Sequence, residues 1–189
     1  MKLAILIAFA CTHLCAQDAP PPTEEEIPAF GISVYLSGLT GQVYALKENS
    51  KKLPDFKKMK PIATIYTYSL AIPPRDFTEG FPGLPDRLEW FAIDYTARLW
   101  IETPGNYKFT LTSDDGSWLY IDGKKMIDNG GLHVPETVSG TVMLKPGIHD
   151  MRVSYFQGPR FHVALMLEVA GPDGQQKIFN TQEFKPPAQ

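Results

Sequence analysis

The residues with the clearest chemical potential are two adjacent aspartates, Asp114 and Asp115, followed by Gly116. Two neighbouring carboxylates repel each other, so they must be solvated, protonated or shared with a cation. Ca²⁺ is a suitable cation because it takes six to eight hard oxygen ligands. The triplet also fits an ordinary turn, in which Asp side chains cap backbone amides and Gly supplies a positive φ. The spacing alone leaves both interpretations open.

Catalysis has little support in the sequence. It contains no HExxH motif, no phosphate-binding loop and no Gly-flanked serine elbow. A glycosidase needs two carboxylates on opposite sides of a cleft, and candidates such as Glu89 and Glu102 cannot be paired from spacing alone. We therefore predict a protein that is not an enzyme.

Composition narrows the class of partner. The 189 residues carry 18 Lys and Arg against 21 Asp and Glu, a formal net charge of −3. That balance offers no basic excess to neutralise phosphates, so we expect no nucleic-acid partner. Lysines recur between Lys52 and Lys60, a charge run typical of a solvated face.

The N-terminus resembles an export leader. A short positive end precedes an apolar run from Leu3 to Ala10, so residues 1–16 are predicted to be a signal peptide and residues 17–30 an acidic, Pro-rich linker. Both cysteines, Cys11 and Cys15, fall inside the leader, so the mature chain would contain no thiol. We expect an exported protein, periplasmic or extracellular, with no membrane span. A lipid anchor at a leader cysteine is the alternative.

The rest of the chain predicts an all-β fold. Tyr107, Phe109 and Leu111 alternate along one face of a strand, and Asp122-Gly123 predicts a hairpin turn. Residues 61–72 are β-branched and aromatic, and Pro73-Pro74 is expected to end that strand. Many short strands separated by turns at intervals of about ten residues indicate an antiparallel β-sandwich or barrel.

Seven segments of the chain form a recognisable set: residues 38–44 (GLTGQVY), 104–109 (PGNYKF), 113–123 (SDDGSWLYIDG), 127–129 (IDN), 139–144 (SGTVML), 146–149 (PGIH) and 153–156 (VSYF). In this order and spacing they resemble the PA14 domain family. The resemblance covers about residues 38–185, so we predict a domain over residues 31–185 and a tail over residues 186–189. The resemblance implies an antiparallel β-sandwich of PA14 type, often a carbohydrate-binding module.

The resemblance also implies a site. In the family's sugar-binding members an Asp-Asp pair joined by a cis peptide holds one calcium, which in turn holds sugar hydroxyls. Asp114 and Asp115 match that pair, and Gln157 stands where those members have an Asn. Gln is longer than Asn by one methylene, so this chain departs from the pattern of those members at that position. Carbonyls of Pro159 or Phe161 could add ligands.

Other side chains complete the predicted ligand-binding set. Arg160 could bond sugar hydroxyls or pair with an acidic neighbour, and Phe161 lies in the same loop. Trp118 and Tyr120 share one strand face, opposite to Leu119 and Ile121, so Trp118 is a candidate for stacking on a sugar. The leading hypothesis is an exported lectin-like module that binds glycans through Ca²⁺. The alternative is a non-catalytic protein-interaction or scaffold domain of a periplasmic or cell-surface assembly.

Overall fold

The computed structural model describes residues 38–78, 80–84 and 86–186, together with the backbone of residues 26–29 and 32–35. The predicted leader with its two cysteines, and residues 187–189 of the predicted tail, lie outside the described residues. The strands are β1 (Glu26–Ala29), β2 (Ile32–Tyr35), β3 (Leu39–Ala45), β4 (Ala63–Thr67), β5 (Ala71–Asp76), β6 (Phe91–Ile101), β7 (Gly105–Asp114), β8 (Ser117–Ile121), β9 (Lys124–Asn129), β10 (Glu136–Leu144), β11 (Gly147–Gln157), β12 (His162–Ala170) and β13 (Gln176–Ile178). Short 3₁₀ helices span Phe56–Lys58 and Thr181–Phe184.

Within this described part, two antiparallel sheets form a sandwich, which confirms the predicted fold class. One sheet has six strands in the order β4-β3-β6-β11-β8-β9. The other has the order β10-β7-β12, with β13 and β5 both paired to β12. β1 pairs with β2, so the first of these strands falls inside the segment predicted to be a linker. No helix in the described residues is long and apolar enough to span a bilayer.

Strict alternation builds the core between the sheets. Tyr107, Phe109 and Leu111 are all buried on the inner face of β7, as their spacing predicted. Leu119 and Ile121 are buried on β8 in the same core, which directs Trp118 and Tyr120 outward. A second, smaller cluster lies on the outer face of the six-stranded sheet, where Leu53, Phe56, Tyr44, Ala92 and Phe156 pack together. Residues 46–60 therefore cover part of that face.

The turn predictions have mixed outcomes. Asp122 and Gly123 both have positive φ, at 50° and 75°, as a two-residue type I′ hairpin requires. Pro73 and Pro74, by contrast, do not end a strand: they lie within β5. They fall at an irregularity in the pairing, where Ile72 pairs with Leu165 and Arg75 pairs with Val163. A bulge on an edge strand tolerates residues without an N–H donor.

Three of the connections that cross between the sheets gather at one end of the sandwich. Residues 115–116, 130–135 and 158–161 lead from β7 to β8, from β9 to β10 and from β11 to β12. The register places Asn129 opposite Ser117, Glu136 opposite Ser113 and Ala164 opposite Asp114, so the three crossovers meet. We call this end of the molecule the crossover end.

Candidate functional site

The Asp pair lies at the crossover end, between the two sheets. Asp114 is the last residue of β7, and Asp115 is the first residue of the crossover to β8. The peptide bond between them is cis, in agreement with what the resemblance implied. Only 6% of Asp114 and 5% of Asp115 is exposed to solvent. The two aspartates among the three predicted metal ligands are therefore close to fully buried at a loop-rich end of the fold.

A buried polar network lies next to the pair, at the ends of the neighbouring strands. The hydroxyls of Ser113 and Ser117 lie 2.7 Å apart, and the side-chain amide of Asn129 donates to Ser113 over 3.0 Å. That amide also donates to the carbonyl oxygen of Glu136. The network joins the ends of β7, β8, β9 and β10, so it holds the strands that flank the Asp pair in fixed positions.

Asp115 is hydrogen-bonded to the two other crossover loops. One carboxylate oxygen accepts a hydrogen bond from the backbone N–H of Gly158 over 2.7 Å, and the other accepts from the backbone N–H of His133 over 3.2 Å. Burial raises the pKa of Asp115, while these two hydrogen bonds oppose the increase. Its carboxylate thus connects the loops of residues 130–135 and 158–161 to the crossover that contains it.

Asp114 has a different environment. Among the described residues, no donor hydrogen-bonds to its carboxylate; its backbone carbonyl oxygen lies 2.7 Å from the hydroxyl of Tyr155. Burial raises the pKa of Asp114 to about 6, the neighbouring Asp115 charge adds to the increase, and His162 and His133 partly offset it. A desolvated carboxylate beside a second one, without a donor of its own, favours a proton or a cation.

Gln157 lies beneath this pair with its amide fully engaged. Its side-chain nitrogen donates to the carbonyl oxygens of Pro159 and His162, over 3.2 and 3.0 Å. Its side-chain oxygen lies against the hydroxyl of Tyr155. That hydroxyl can donate its single proton either to the side-chain oxygen of Gln157 or to the backbone carbonyl oxygen of Asp114. Gln157 is completely buried, so in this structure its amide shapes the loop of residues 158–161.

Two glycines let the crossovers approach this closely. A Cβ at Gly116 would lie 2.5 Å from Cε1 of Phe156 and 2.8 Å from the backbone of Gly131. A Cβ at Gly158 would lie 2.6 Å from Leu132 and 3.0 Å from the carboxylate of Asp115. Glycine is a packing requirement at Gly116, because the backbone of Gly131 cannot move aside, whereas at Gly158 the exposed Leu132 side chain would have to rotate away.

The rim of the crossover end is exposed and partly apolar. Phe161 is 73% exposed, and its carbonyl oxygen accepts from the backbone N–H of Phe77. The carbonyl oxygen of Pro159 accepts from the N–H of Phe161 in addition to Gln157. Arg160 is exposed, its backbone N–H donates to the Glu89 carboxylate, and it lines a depression of about 310 Å³. Arg160 and Phe161 therefore belong to the loop whose Gly158 N–H is hydrogen-bonded to Asp115, and their contacts here are with Glu89 and Phe77.

Trp118 lies elsewhere. Its side chain is on the outer face of the six-stranded sheet, because the inward positions of β8 are taken by Ser117, Leu119 and Ile121. Its indole N–H donates to Asp128 over 2.6 Å, and the amine of Lys125 lies 3.9 Å from the ring centroid. The structure therefore brings Trp118 together with Asp128 and Lys125, and its contacts do not include the Asp pair.

The donor set decides which chemistry is available. In the described part of the chain, no group of three or more His, Cys, Asp or Glu side chains could hold a metal, so side-chain carboxylates at the pair number two. Two carboxylates and nearby carbonyls are hard oxygen donors, which suit Ca²⁺ rather than zinc or copper. The pair fits a hard cation because it places two largely desolvated carboxylates next to each other in the chain, a condition that a positive charge would relieve.

Sequence reasoning missed some supporting residues. The backbone amides of Gly158 and His133 carry no side-chain signal, and their role depends on three crossovers meeting in space. Gln157 differs, because Met151, Val153 and Tyr155 alternate on the inner face of β11 and the same parity continues to Gln157. That alternation could have predicted its burial.

Comparisons with known proteins agree with this architecture. A family model described as the PA14 domain matches residues 37–180. No curated protein matches the chain in sequence.

Among solved structures, one similar chain is a PA14 sugar-binding domain from an RTX adhesin, with a TM-score of 0.65, 20% identity, and coverage of 78% of this chain and 97% of that one. Another is an anti-sigma factor domain-containing protein, with a TM-score of 0.62, 21% identity, and coverage of 81% of this chain but 51% of that one; this chain thus spans about half its length. A third is the Epithelial Adhesin 9 A domain of Candida glabrata in complex with Galβ1-3GlcNAc, with a TM-score of 0.56, 13% identity, and coverage of 78% and 87%. At these identities the structural likeness establishes the fold, and the family match spans most of the sequence: the chain belongs to the PA14 domain family.

Proposed function

We propose that this protein is a non-catalytic, calcium-dependent carbohydrate-binding module. The observation that carries the proposal is the buried Asp pair, in which Asp115 is hydrogen-bonded to two loops while Asp114 has no donor within the described residues. A cation at the pair would neutralise two desolvated charges. The fold neighbours that bind sugars support the ligand class.

The residues of the site would have three roles: holding the cation, positioning a loop and contacting the sugar. The carboxylates of Asp114 and Asp115 would hold the cation, and Ca²⁺ keeps open positions that hydroxyl groups of a glycan can fill. Gln157 would position the loop of residues 158–161 through its hydrogen bonds to Pro159 and His162. Phe161 and Arg160 would contact the sugar from the rim, one through its ring and the other through hydrogen bonds. The predicted leader would place this activity outside the cytoplasm.

The test is binding to an array of neutral mono- and oligosaccharides, in Ca²⁺ and in EDTA. We expect binding in Ca²⁺ that EDTA abolishes and that Asp114→Asn and Asp115→Asn each reduce at least tenfold, because each removes one anionic oxygen ligand. Asp173→Asn is the matched control, since Asp173 is an exposed aspartate outside the crossover end. Sugar binding that is equally strong in Ca²⁺ and in EDTA, or no binding to any sugar, would contradict the proposal.

A second candidate function is protein recognition by the same end of the molecule. Leu132, Val134 and Phe161 are exposed apolar side chains at its rim, and such patches mark interaction surfaces. This candidate predicts a protein partner whose capture tolerates Asp114→Asn and Asp115→Asn but is lost on Phe161→Ser. The two functions are therefore separated by the same set of variants.

A further inference from the structure

A second concave surface lies on the outer face of the six-stranded sheet, away from the crossover end. Two depressions of about 440 and 540 Å³ share the side chains of Tyr120 and Arg152 as a common wall. Together we call them the outer groove, whose defining residues are Lys52, Lys57, Arg98, Trp118, Tyr120 and Arg152. Volumes in this range suit small ligands or a few units of a chain.

Strand register places these side chains side by side. Arg152 on β11 is directly opposite Tyr120 on β8 and Thr96 on β6. Trp118 follows on the same face of β8, and its ring packs edge-on against Tyr120 at 6.4 Å. Residues 46–60 form the other wall of the groove. Leu53 and Phe56 pack that segment on the sheet, and Lys52 and Lys57 line the groove beside them.

Arg152 is held in place by its surroundings. Its Nε donates to the carboxylate of Asp94 over 2.7 Å, and Ser154 donates to the same oxygen. The guanidinium carbon lies 5.5 Å from the ring centroids of both Phe56 and Tyr120. No described residue hydrogen-bonds to its two terminal nitrogens, so their N–H groups remain for a ligand. A planar guanidinium with free terminal donors suits carboxylate or sulfate oxygens.

The charge of the groove is opposite to that of the chain. Four cationic side chains line it, against the carboxylates of Asp55 and Asp150, and a third carboxylate, that of Asp94, forms an ion pair with Arg152 over 2.7 Å. Asp55 is paired with Lys58 over 3.0 Å, which reduces its effect on a ligand. The whole chain has a net charge of −3, so this concentration of positive charge is a local feature.

We propose that the outer groove binds an acidic saccharide chain, with its anionic groups on Arg152 and Arg98 and a sugar ring against Tyr120. Aromatic side chains beside a pre-positioned arginine match a ligand that has both apolar ring faces and negative charge. The groove contains neither Asp114 nor Asp115, so its binding requires no calcium. The inference goes beyond the proposed function and does not depend on it.

The experiment is calorimetric titration in EDTA, with a galacturonate hexamer, a sulfated hexasaccharide, neutral maltohexaose and inorganic polyphosphate as probes. We expect at least one acidic saccharide to bind and maltohexaose to bind at least tenfold more weakly. EDTA removes Ca²⁺, so binding measured in EDTA does not come from the proposed calcium site. Failure of the groove proposal and failure of the proposed function are therefore distinguishable. Which acidic saccharide binds more tightly separates carboxylated from sulfated ligands.

Variants locate the binding. Arg152→Lys keeps the charge but loses the planar fork, and Arg98→Gln removes an exposed cation at the far end; each should weaken binding about tenfold. Lys108→Gln, an exposed cation on the other sheet, should not change it. Equal binding of polyphosphate, loss of binding in Lys108→Gln, or no binding by either acidic saccharide would overturn the proposal. Arg98→Gln keeps the test valid if Arg152→Lys does not fold, because Arg98 is exposed.

Discussion

At the residue scale, the two aspartates of the pair differ in how the fold uses them. Asp115 accepts backbone hydrogen bonds from Gly158 and His133, so it has a structural role with or without a cation. Asp114 has no such compensation in the described structure, and burial raises its pKa to about 6. The functional contribution of the pair therefore depends most on Asp114, while loss of Asp115 would also loosen the loops.

This difference predicts how stability depends on pH without divalent cations. The pKa of Asp114 rises from 3.8 in the unfolded chain to about 6 in the folded chain, so between these values the folded state binds more protons. Its contribution to stability is therefore fully present below pH 3.8 and is lost as the pH rises through about 6. Asp114→Asn should raise the free energy of unfolding at pH 7.5 by about 1–2 kcal/mol, discounted for solvent screening.

Denaturant unfolding in EDTA at pH 4 and pH 7.5 measures this effect. The variant should gain little at pH 4, where the native carboxyl is already protonated. Asp173→Asn should show no comparable difference between the two pH values. A variant less stable than the native protein at pH 7.5 would show that the Asp114 carboxylate is compensated after all.

Part of the site could be predicted at this scale. Adjacent carboxylates before a glycine are visible in the sequence, and the alternation through Met151, Val153 and Tyr155 leads to Gln157. The donors to Asp115 are backbone amides, which every residue except proline has, so no residue type marks them. Trp118 could be assigned to an outward face, but the contacts on that face depend on residues 46–60 folding over the sheet.

At the element scale, the crossovers depend on close contact between backbones. Gly116 has the backbone of Gly131 on one side and the ring of Phe156 on the other. The strands themselves follow from alternation, as β7 shows, and the β8–β9 turn follows from Asp122-Gly123. Alternation and turn residues do not predict that the crossovers meet, because that prediction requires knowing which sheet each strand joins.

Gly116→Ala tests this contact. The added methyl group would lie within 2.8 Å of the Gly131 backbone, which cannot rotate away, so we expect a loss of about 1–3 kcal/mol in the free energy of unfolding. Gly171→Ala is the control, because its nearest atom is Cε1 of Tyr107 at 3.3 Å. Urea denaturation measures both. Equal stability of the two variants would mean that the crossovers move apart at little cost.

At the scale of the whole molecule, the proposed cation would act on the sandwich as a unit. Asp115 contacts two crossovers besides its own, and these join the six-stranded sheet to the other sheet. A ligand that binds the folded state alone stabilises it by mass action. The all-β class was predictable from turn spacing, whereas this coupling between the sheets required the structure.

Calcium should therefore raise the melting temperature. At a concentration 100 times the dissociation constant, the gain is about 2.7 kcal/mol, which corresponds to about 5–10 °C for a chain of this size. Differential scanning calorimetry in Ca²⁺ and in EDTA measures the shift, and the doubly substituted Asp114→Asn, Asp115→Asn protein should show none. A native melting temperature that is the same in both buffers would contradict calcium binding.

The proline pair in β5 has a consequence for the protein in a crowded environment. Among the described residues β5 pairs with β12 alone, and at Pro73 and Pro74 it has no N–H to donate to a further strand. A neighbouring molecule that tried to extend the sheet there would find a gap in the ladder of donors. We therefore expect the two prolines to disfavour edge-to-edge pairing of this sheet with the sheet of another molecule.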